Sequence, residues 1–308
     1  MTLQDSVKSL EVDARGWDDR GVIGLGKLLG ASEDLVALKV DMLGGSVGDA
    51  GATKLAAALP ELRGLTDLNL NFAGTNIDNS GVKVLASGLA ALPALRRLTL
   101  DFRGSRIGRG GIKGVVLSLA ALQALESLRC DLAADQEGLH MVLDLQDYND
   151  EEVRQAVMFV DLQHHLTEVA LRFTHSKIGE TGAQALKEGL PYMTRVEKLE
   201  LDLKGTALHA AEVGLLVRGL SRMPALTALH LDVAEIELGP ETIRSLVTGL
   251  PTVRTLRSLW LNLGEDSQGT ALLLDCSALE DQDGESLGRF LGLQGSLRHI
   301  SLGFRGSG

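Results

Sequence analysis

One pattern recurs along the chain and limits what it can become. It reads apolar-x-x-apolar-x-apolar, then Asp or Asn in most copies, then another apolar residue. The first half carries it at Val7-Leu10-Val12-Asp13, Leu35-Leu38-Val40-Asp41-Met42, Leu65-Leu68-Leu70-Asn71-Phe72, Leu95-Leu98-Leu100-Asp101-Phe102 and Leu125-Leu128-Cys130-Asp131-Leu132. The second half carries it at Leu166-Val169-Leu171-Arg172-Phe173, Val196-Leu199-Leu201-Asp202-Leu203, Leu226-Leu229-Leu231-Asp232-Val233, Leu256-Leu259-Leu261-Asn262-Leu263 and Leu297-Ile300-Leu302-Gly303-Phe304. The starts are separated by 28, 30, 30, 30, 41, 30, 30, 30 and 41 residues. A block of 131 residues thus occurs twice, over 35–165 and 166–296. Self-similarity at this period marks a repeat architecture, here an internal duplication within a single solenoid of about nine to ten repeats spanning 1–308.

Within one step the physics is legible. Leu68, Leu70 and Phe72 alternate with period two, as a short strand does. A turn follows at Gly74-Thr75-Asn76, and Leu85, Leu89 and Leu92 then keep helical spacing. Pro60, Pro93, Pro191, Pro224 and Pro251 stand where the helices should stop, since proline lacks the N–H that a helix interior needs. One strand and one helix cannot bury their apolar faces alone, but stacked neighbours can. The expected fold class is α/β.

These leucines, with the junction Ile77-Asp78-Asn79-Ser80-Gly81, resemble the leucine-rich repeat superfamily, most closely its ribonuclease-inhibitor-like class, over residues 7–304. One departure stands out: Phe72, Phe102 and Phe173 prolong the apolar alternation, which reads as a strand lengthened by two residues. The resemblance implies a curved solenoid with parallel strands on the concave face and helices on the convex face. The family also includes regulators of other enzymes, namely an activator of small GTPases and a nuclease inhibitor, but no motif here carries either role over.

Counting the first apolar residue of each motif as position 1, positions 4, 6 and 8 point inward and 3, 5, 7 and 9 outward. Position 7 forms a column that includes Asp101, Asp131, Arg172, Asp232 and Asn262. Such a column suggests a site for a cation or a basic partner. The outward positions of all ten motifs, however, carry ten acids against nine bases, so a mixed, self-compensated ladder is the favoured reading. Trp260 occupies position 5 beside His230 one strand away, and Arg129 is its counterpart one block earlier. Trp and Arg are enriched among interface hot spots. Two readings stand open for Trp260: an exposed anchor, or a side chain covered by residues 264–283 folding back over it. The expected partner-binding residues are Trp260, His230, Asp232, Asn262, Arg129, Asp131, Asp101 and Arg172.

The net charge of −11 resides in the two long steps. Residues 133–150 contain five acids and 264–286 seven, with no Lys or Arg in either. These acidic insertions, at 133–150 and 264–286, are expected to protrude beyond the strand row. The apolar runs Leu139–Leu143 and Ala271–Leu274 inside them suggest extra strands or hairpins. Asp281-Gln282-Asp283-Gly284-Glu285 lacks the full calcium-loop spacing. The acids at 150–152 and 283–285 read better as helix starts.

Chemistry is not legible elsewhere. The seven histidines show no metal-ligand spacing, and Cys130 occupies a core position, where a thiol is inert. Gly108-Arg109-Gly110-Gly111 opens a helix as a phosphate loop does. It is in register with the repeat glycines and matches no phosphate motif, although Arg96, Arg97, Arg103, Arg106, Arg109 and Lys113 make this repeat basic. An acidic chain is a poor partner for nucleic acid. Two cysteines and the lack of an apolar leader or a membrane-length apolar run point to a cytoplasmic, reducing setting. The chain is therefore expected to be no enzyme and to use no cofactor and no metal. It reads as a protein-protein interaction or scaffold module using the concave face and the acidic insertions, with a basic protein as one candidate partner. The alternatives are a regulator of another enzyme and a structural subunit of a large assembly. Neither end carries a polar capping unit, which opens end-to-end contacts at the terminal strands, or a chain that continues further.

Overall fold

The computed structural model describes residues 7–30, 32, 34–122, 124–132, 139–236, 239–263, 271–275, 279–294 and 299–303. In chain order these form β1 (Ser9–Asp13), α1 (Asp19–Leu29), β2 (Ala37–Asp41), α2 (Asp49–Ala58), β3 (Asp67–Asn71), α3 (Asn79–Ala90), β4 (Arg97–Asp101), α4 (Arg109–Leu119) and β5 (Ser127–Asp131). There follow β6 (His140–Asp144), α5 (Asp150–Asp161), β7 (Glu168–Arg172), α6 (Glu180–Gly189), β8 (Lys198–Asp202), α7 (Ala210–Leu220), β9 (Ala228–Asp232), α8 (Pro240–Gly249), β10 (Ser258–Asn262), β11 (Ala271–Asp275), α9 (Gly284–Gly292) and β12 (His299–Gly303). Single 3-10 turns carrying Pro60, Pro191 and Pro251 end α2, α6 and α8. The fold is α/β, with parallel strands alternating with helices. The series strand-helix, three times over, then two strands and a helix, runs from β2 to α5 and again from β7 to α9.

The chain forms two compact units, one of residues 1–141 and 158–165, the other of 142–157 and 166–308. In the first, β1 to β5 lie in sequence order in one sheet, every neighbouring pair parallel. The register places like positions side by side, so Leu38, Leu68, Leu98 and Leu128 stack as one column and Val40, Leu70, Leu100 and Cys130 as another. All eight are at most 2% exposed. Each buried leucine contributes about 1.5–3 kcal/mol through the water it sheds, but only because the next repeat covers it. At β1, the first strand of this sheet, Leu10 and Val12 are half-buried. The second unit repeats the plan with β6 to β10 in order. Its columns are Val169, Leu199, Leu229, Leu259 and Leu171, Leu201, Leu231, Leu261. β11 and β12 pair parallel in a two-stranded sheet.

Two expectations need correction. The strands are not lengthened: each is five residues long and stops at the Asp/Asn position or its equivalent. Phe72, Phe102 and Phe173 lie just beyond that stop and are still buried, and Phe72 stacks on Phe102 with ring centroids 5.7 Å apart. The cause is a local turn. The side-chain oxygen of the position-7 residue accepts the N–H two residues on, at Asp13, Asp41, Asn71, Asp101, Asp202 and Asp232, with distances of 2.9–3.2 Å. This Asx turn bends the backbone out of the sheet. Nor is the first acidic insertion a protrusion along its described length. Its residues 140–144 are β6, a full member of the second sheet, and Leu145 and Tyr148 behind it are at most 3% exposed. Residues 133–138, 264–270 and 276–278 of the two insertions lie outside the described residues.

A second periodic device joins the helices. The first residue of a helix offers one side-chain oxygen to the N-terminal N–H groups of the next helix. Asp19 Oδ1 accepts from Gly48 and Gly51 at 2.8 and 2.9 Å, and Asn79 Oδ1 from Gly108 and Gly111 at 2.8 and 3.0 Å. Asp49 Oδ1 accepts from Asp78 at 3.0 Å, and Asp150 Oδ1 from Gly179 at 2.8 Å. Apart from Gly111, whose N–H also reaches the Gly108 carbonyl at 3.0 Å, these N–H groups lack a partner within their own helix, so the clamp satisfies donors that would otherwise need water. It also explains the glycine of the Ile-x-x-x-Gly junction: a Cβ at Gly51, Gly81, Gly111 or Gly182 would lie 2.3–2.7 Å from the clamping oxygen.

Candidate protein-interaction face

The outward side chains of each sheet come from alternate strand positions. In the first unit the charged ones among them are taken up by ion pairs. Lys39 pairs with Glu11 across β1 and β2, and Arg97 with Asp67 across β3 and β4. Arg15 pairs with Asp13 and lies 4.0 Å from Asp41. Arg103 grips Asp101 through Nε at 2.9 Å and through Nη2, and Arg129 Nε reaches Asp131 at 3.1 Å. The Thr66 hydroxyl and Arg97 hold Asp67 below the ordinary carboxylate range, whereas burial pushes Asp131 above it. An open depression of about 350 Å³ lies over β1 to β4, with Glu11, Lys39, Asp67 and Arg97 in its wall. This is the self-compensated ladder expected from the charge count.

Asp101, Asp131 and Asn262 depart from expectation. They are only 8%, 6% and 7% exposed, so they are not contact residues of an open face. Each sits at a strand end under its neighbours. Asp101 spends one oxygen on the Arg103 N–H, and Asn262 Nδ2 donates to Asp232 Oδ2 at 3.1 Å. The position-7 column is first of all a set of turn residues. Position 9, expected outward, is turned in at Ala73 and Ala234.

The second unit places Arg172, His230, Asp232 and Trp260 on one sheet. The register sets Trp260 beside His230 and Asn262 beside Asp232. The His230 and Trp260 rings stack, centroids 3.6 Å apart and planes 23° from parallel, and both are half-buried. Desolvation lowers the His230 pKa, against the pull of Glu200, Asp232 and Asp202 and with help from Arg172. Arg172 Nε donates to Glu200 at 2.8 Å, and Lys198 pairs with Glu168. Residues 264–270, from the segment proposed as a cover for Trp260, lie outside the described residues. Arg129 is an exposed residue of the first unit, committed to Asp131.

The other candidates are accounted for by structure. Cys130 is buried, and its thiol pKa is pushed up by desolvation. The donors of the glycine-rich stretch, Gly108 and Gly111 N–H, go to Asn79 rather than to an open anion cradle. In the same repeat Arg96 pairs with Glu126. Asp283 and Glu280 hold Arg244 of α8 at 3.0 and 3.1 Å, and Asn149 with Glu152 forms the capping box of α5. Among the described residues no three His, Cys, Asp or Glu side chains are grouped to hold a metal, and no helix is long and apolar enough to cross a membrane.

The sequence missed one feature. The turns after β1 to β4 and β7 to β9 take a left-handed residue, and Gly16, Gly44, Gly74, Gly104 and Gly205 supply it with φ of 62–77°. His175 and Glu235 occupy the same turn position with φ of 55° and 61°. Their side chains approach to 3.9 Å above Gly205, where a Cβ would lie 2.1 Å from His175 Nδ1. The alignment of the ten motifs held the signal, since His and Glu stand there in a glycine column.

No protein-family model matches the chain, and no curated protein matches it significantly. Among solved structures it is similar to actin-binding site 2 of leiomodin-1, at 15% identity and a TM-score of 0.35 over 41% of this chain and 70% of that one. It is also similar to a chain of the Rad7–Elc1 complex of yeast, at 14% identity and a TM-score of 0.29 over 96% of this chain and 76% of that one. Likenesses this distant carry no functional argument.

Proposed function

We propose that this chain is a non-enzymatic protein-interaction module whose contact surface is the outer face of the second sheet. The observation that carries this reading is the His230–Trp260 stack. Elsewhere most charged outward residues are held in ion pairs, and exposed pairs of that kind contribute little to stability or affinity. Here two aromatic rings stand together, half exposed, on a rigid parallel sheet. Aromatic side chains supply large contact area at low conformational cost, and tryptophan heads the residues that dominate interfaces.

The test is Trp260→Ala. The protein used as bait should retain a stoichiometric partner from native lysate, and the variant should bind that partner more weakly by about 2 kcal/mol or more with its melting transition nearly unchanged. A variant that instead loses about 3–5 kcal/mol of folding stability, the usual cost of truncating a buried tryptophan, would make Trp260 a core residue and remove the basis of the proposal.

A further inference from the structure

The two units treat the same column of carboxylates differently. In the first, every described position-7 aspartate has an arginine from the chain itself: Arg15 for Asp13 and Asp41, Arg103 for Asp101, Arg129 for Asp131. In the second, no ion pair joins Asp202 or Asp232 to an arginine, although Arg172 stands opposite Asp202 in the register. Asp202 accepts the Lys204 N–H and the Thr174 hydroxyl, and Asp232 the Ala234 N–H and the Asn262 amide. All four donors are neutral. One block of 131 residues relates Arg103 to Ala234 and Arg129 to Trp260, so the arginines that serve Asp101 and Asp131 are replaced by a methyl group and an indole. The nearby cations are engaged elsewhere, Arg172 by Glu200 and Lys204 by Glu235 at 3.2 Å.

We infer that the second unit takes the missing guanidinium from its partner: the His230–Trp260 stack and Asp232 form a receptor for an arginine side chain on a basic segment of a protein. This deepens the proposed function and rests on it. The rings supply a flat π surface, over which a guanidinium stacks better than an ammonium because it is planar and weakly hydrated. Asp232 lies beside His230 at the strand end, and each of its oxygens keeps a lone pair after accepting one hydrogen bond, Oδ1 from the Ala234 N–H and Oδ2 from Asn262, which suits the two-pronged donor geometry of arginine. Among the described residues, the strand positions on the other side of the rings carry small side chains, Ala228 and Ser258. Because desolvation depresses the His230 pKa, the stack brings no positive charge of its own at neutral pH.

Random peptides displayed on phage, panned on the full chain and counter-selected on Trp260→Ala, test this. Trp260→Phe, which keeps a ring, guards against loss of fold in the alanine variant, and melting curves of all variants accompany the panning. The expected result is a retained set dominated by arginine. A resynthesised peptide should bind at least about tenfold more weakly when that arginine is replaced by citrulline, its neutral isostere. Asp232→Asn, which keeps the turn acceptor and removes the charge, should weaken the arginine peptide and leave the citrulline peptide unaffected. Trp260-dependent peptides that lack arginine, or equal binding of the citrulline form, would overturn the arginine receptor and leave the interaction face standing. If no peptide depends on Trp260, while a lysate partner does, the inference fails alone. If neither does, both readings fail.

Discussion

Glycine-to-alanine substitution at two helical positions of the first unit should have opposite signs, and the helix clamp is the reason. Gly24 lies in α1, exposed, and a Cβ there meets nothing within 4 Å. Alanine should stabilise this site by about 0.8–1 kcal/mol, the ordinary helix-propensity difference. Gly81 is the third residue of α3, and its Cβ would lie 2.3 Å from Asp49 Oδ1 and 2.9 Å from Asp49 Cα. The backbone contact means that a side-chain rotation alone cannot relieve the clash. Overpacking costs about 1–3 kcal/mol. If the carboxylate moves away, the bond from the Asp78 N–H goes with it, worth about 1.5–3 kcal/mol for a charged acceptor. After the propensity gain, Gly81→Ala should lose about 2 kcal/mol. Equilibrium urea unfolding of the two variants, monitored by far-UV circular dichroism, gives the contrast directly. Amide exchange at Asp78 reports the clamp itself and should accelerate in Gly81→Ala only. A cycle with Asp49→Ala should show coupling of about 1–2 kcal/mol, as for residues in contact. The reasoning is refuted if Gly81→Ala is as stable as Gly24→Ala, or if it unfolds more easily with the protection of the Asp78 amide intact.

Three further outcomes follow from the same structure. Asp131 has a folded-state pKa raised above its ordinary 3.8 by burial, so the native state holds the extra proton and stability falls as pH rises through that window; Asp131→Asn should flatten this part of the stability–pH profile, measured by urea titration at several pH values. His175→Gly should raise stability by about 1–2 kcal/mol, the cost of a left-handed conformation for a residue with a Cβ, because the exposed pair with Glu235 contributes little; an unchanged midpoint would argue against strain at that turn. Arg244→Ala should cost about 1–3 kcal/mol by stranding the buried Asp283 carboxylate, and the amides of α9 should exchange faster than those of α7.

The strands and the stacking register were legible in the sequence because both follow from burial, and burial writes itself as leucine at fixed intervals. Strand length was misjudged for a physical reason. Phe72 remains in the core after the strand has ended, so apolar alternation continues through a turn made by Asn71. The aspartate column was visible, but its purpose was not. An acid that accepts a hydrogen bond from a backbone N–H two residues away looks, in one-letter code, like an acid waiting for a cation. The clamp was half visible, as a glycine at a fixed place whose reason, the Asp49 oxygen 29 residues before the Asp78 N–H, belongs to the neighbouring repeat. Of the candidate site, the adjacency of His230 and Trp260 could be read from the 30-residue step, whereas the burial of Asp101, Asp131 and Asn262 depended on what packs over each strand end.

Regularity is what gives the exceptions their weight. In a stack of repeats, a residue present in every copy serves the stack: the leucines fill the core, the position-7 acids make the turns, the helix-start acids and junction glycines lock neighbours. None of these distinguishes one partner from another, since each does the same work in each repeat. Recognition has to come from positions where one repeat differs from the next without gain to the stack. The described residues show such positions in the second sheet, where Arg103 and Arg129 of the first give way to Ala234 and Trp260, and two glycine turns give way to His175 and Glu235. The first exchange leaves Asp232 without an arginine beside an aromatic stack. The second accepts about 1–2 kcal/mol of backbone strain at each turn to hold an imidazole 3.9 Å from a carboxylate. Neither change completes a clamp; Ala234 is turned inward, while Trp260 stays half-buried and His175 and Glu235 stay exposed.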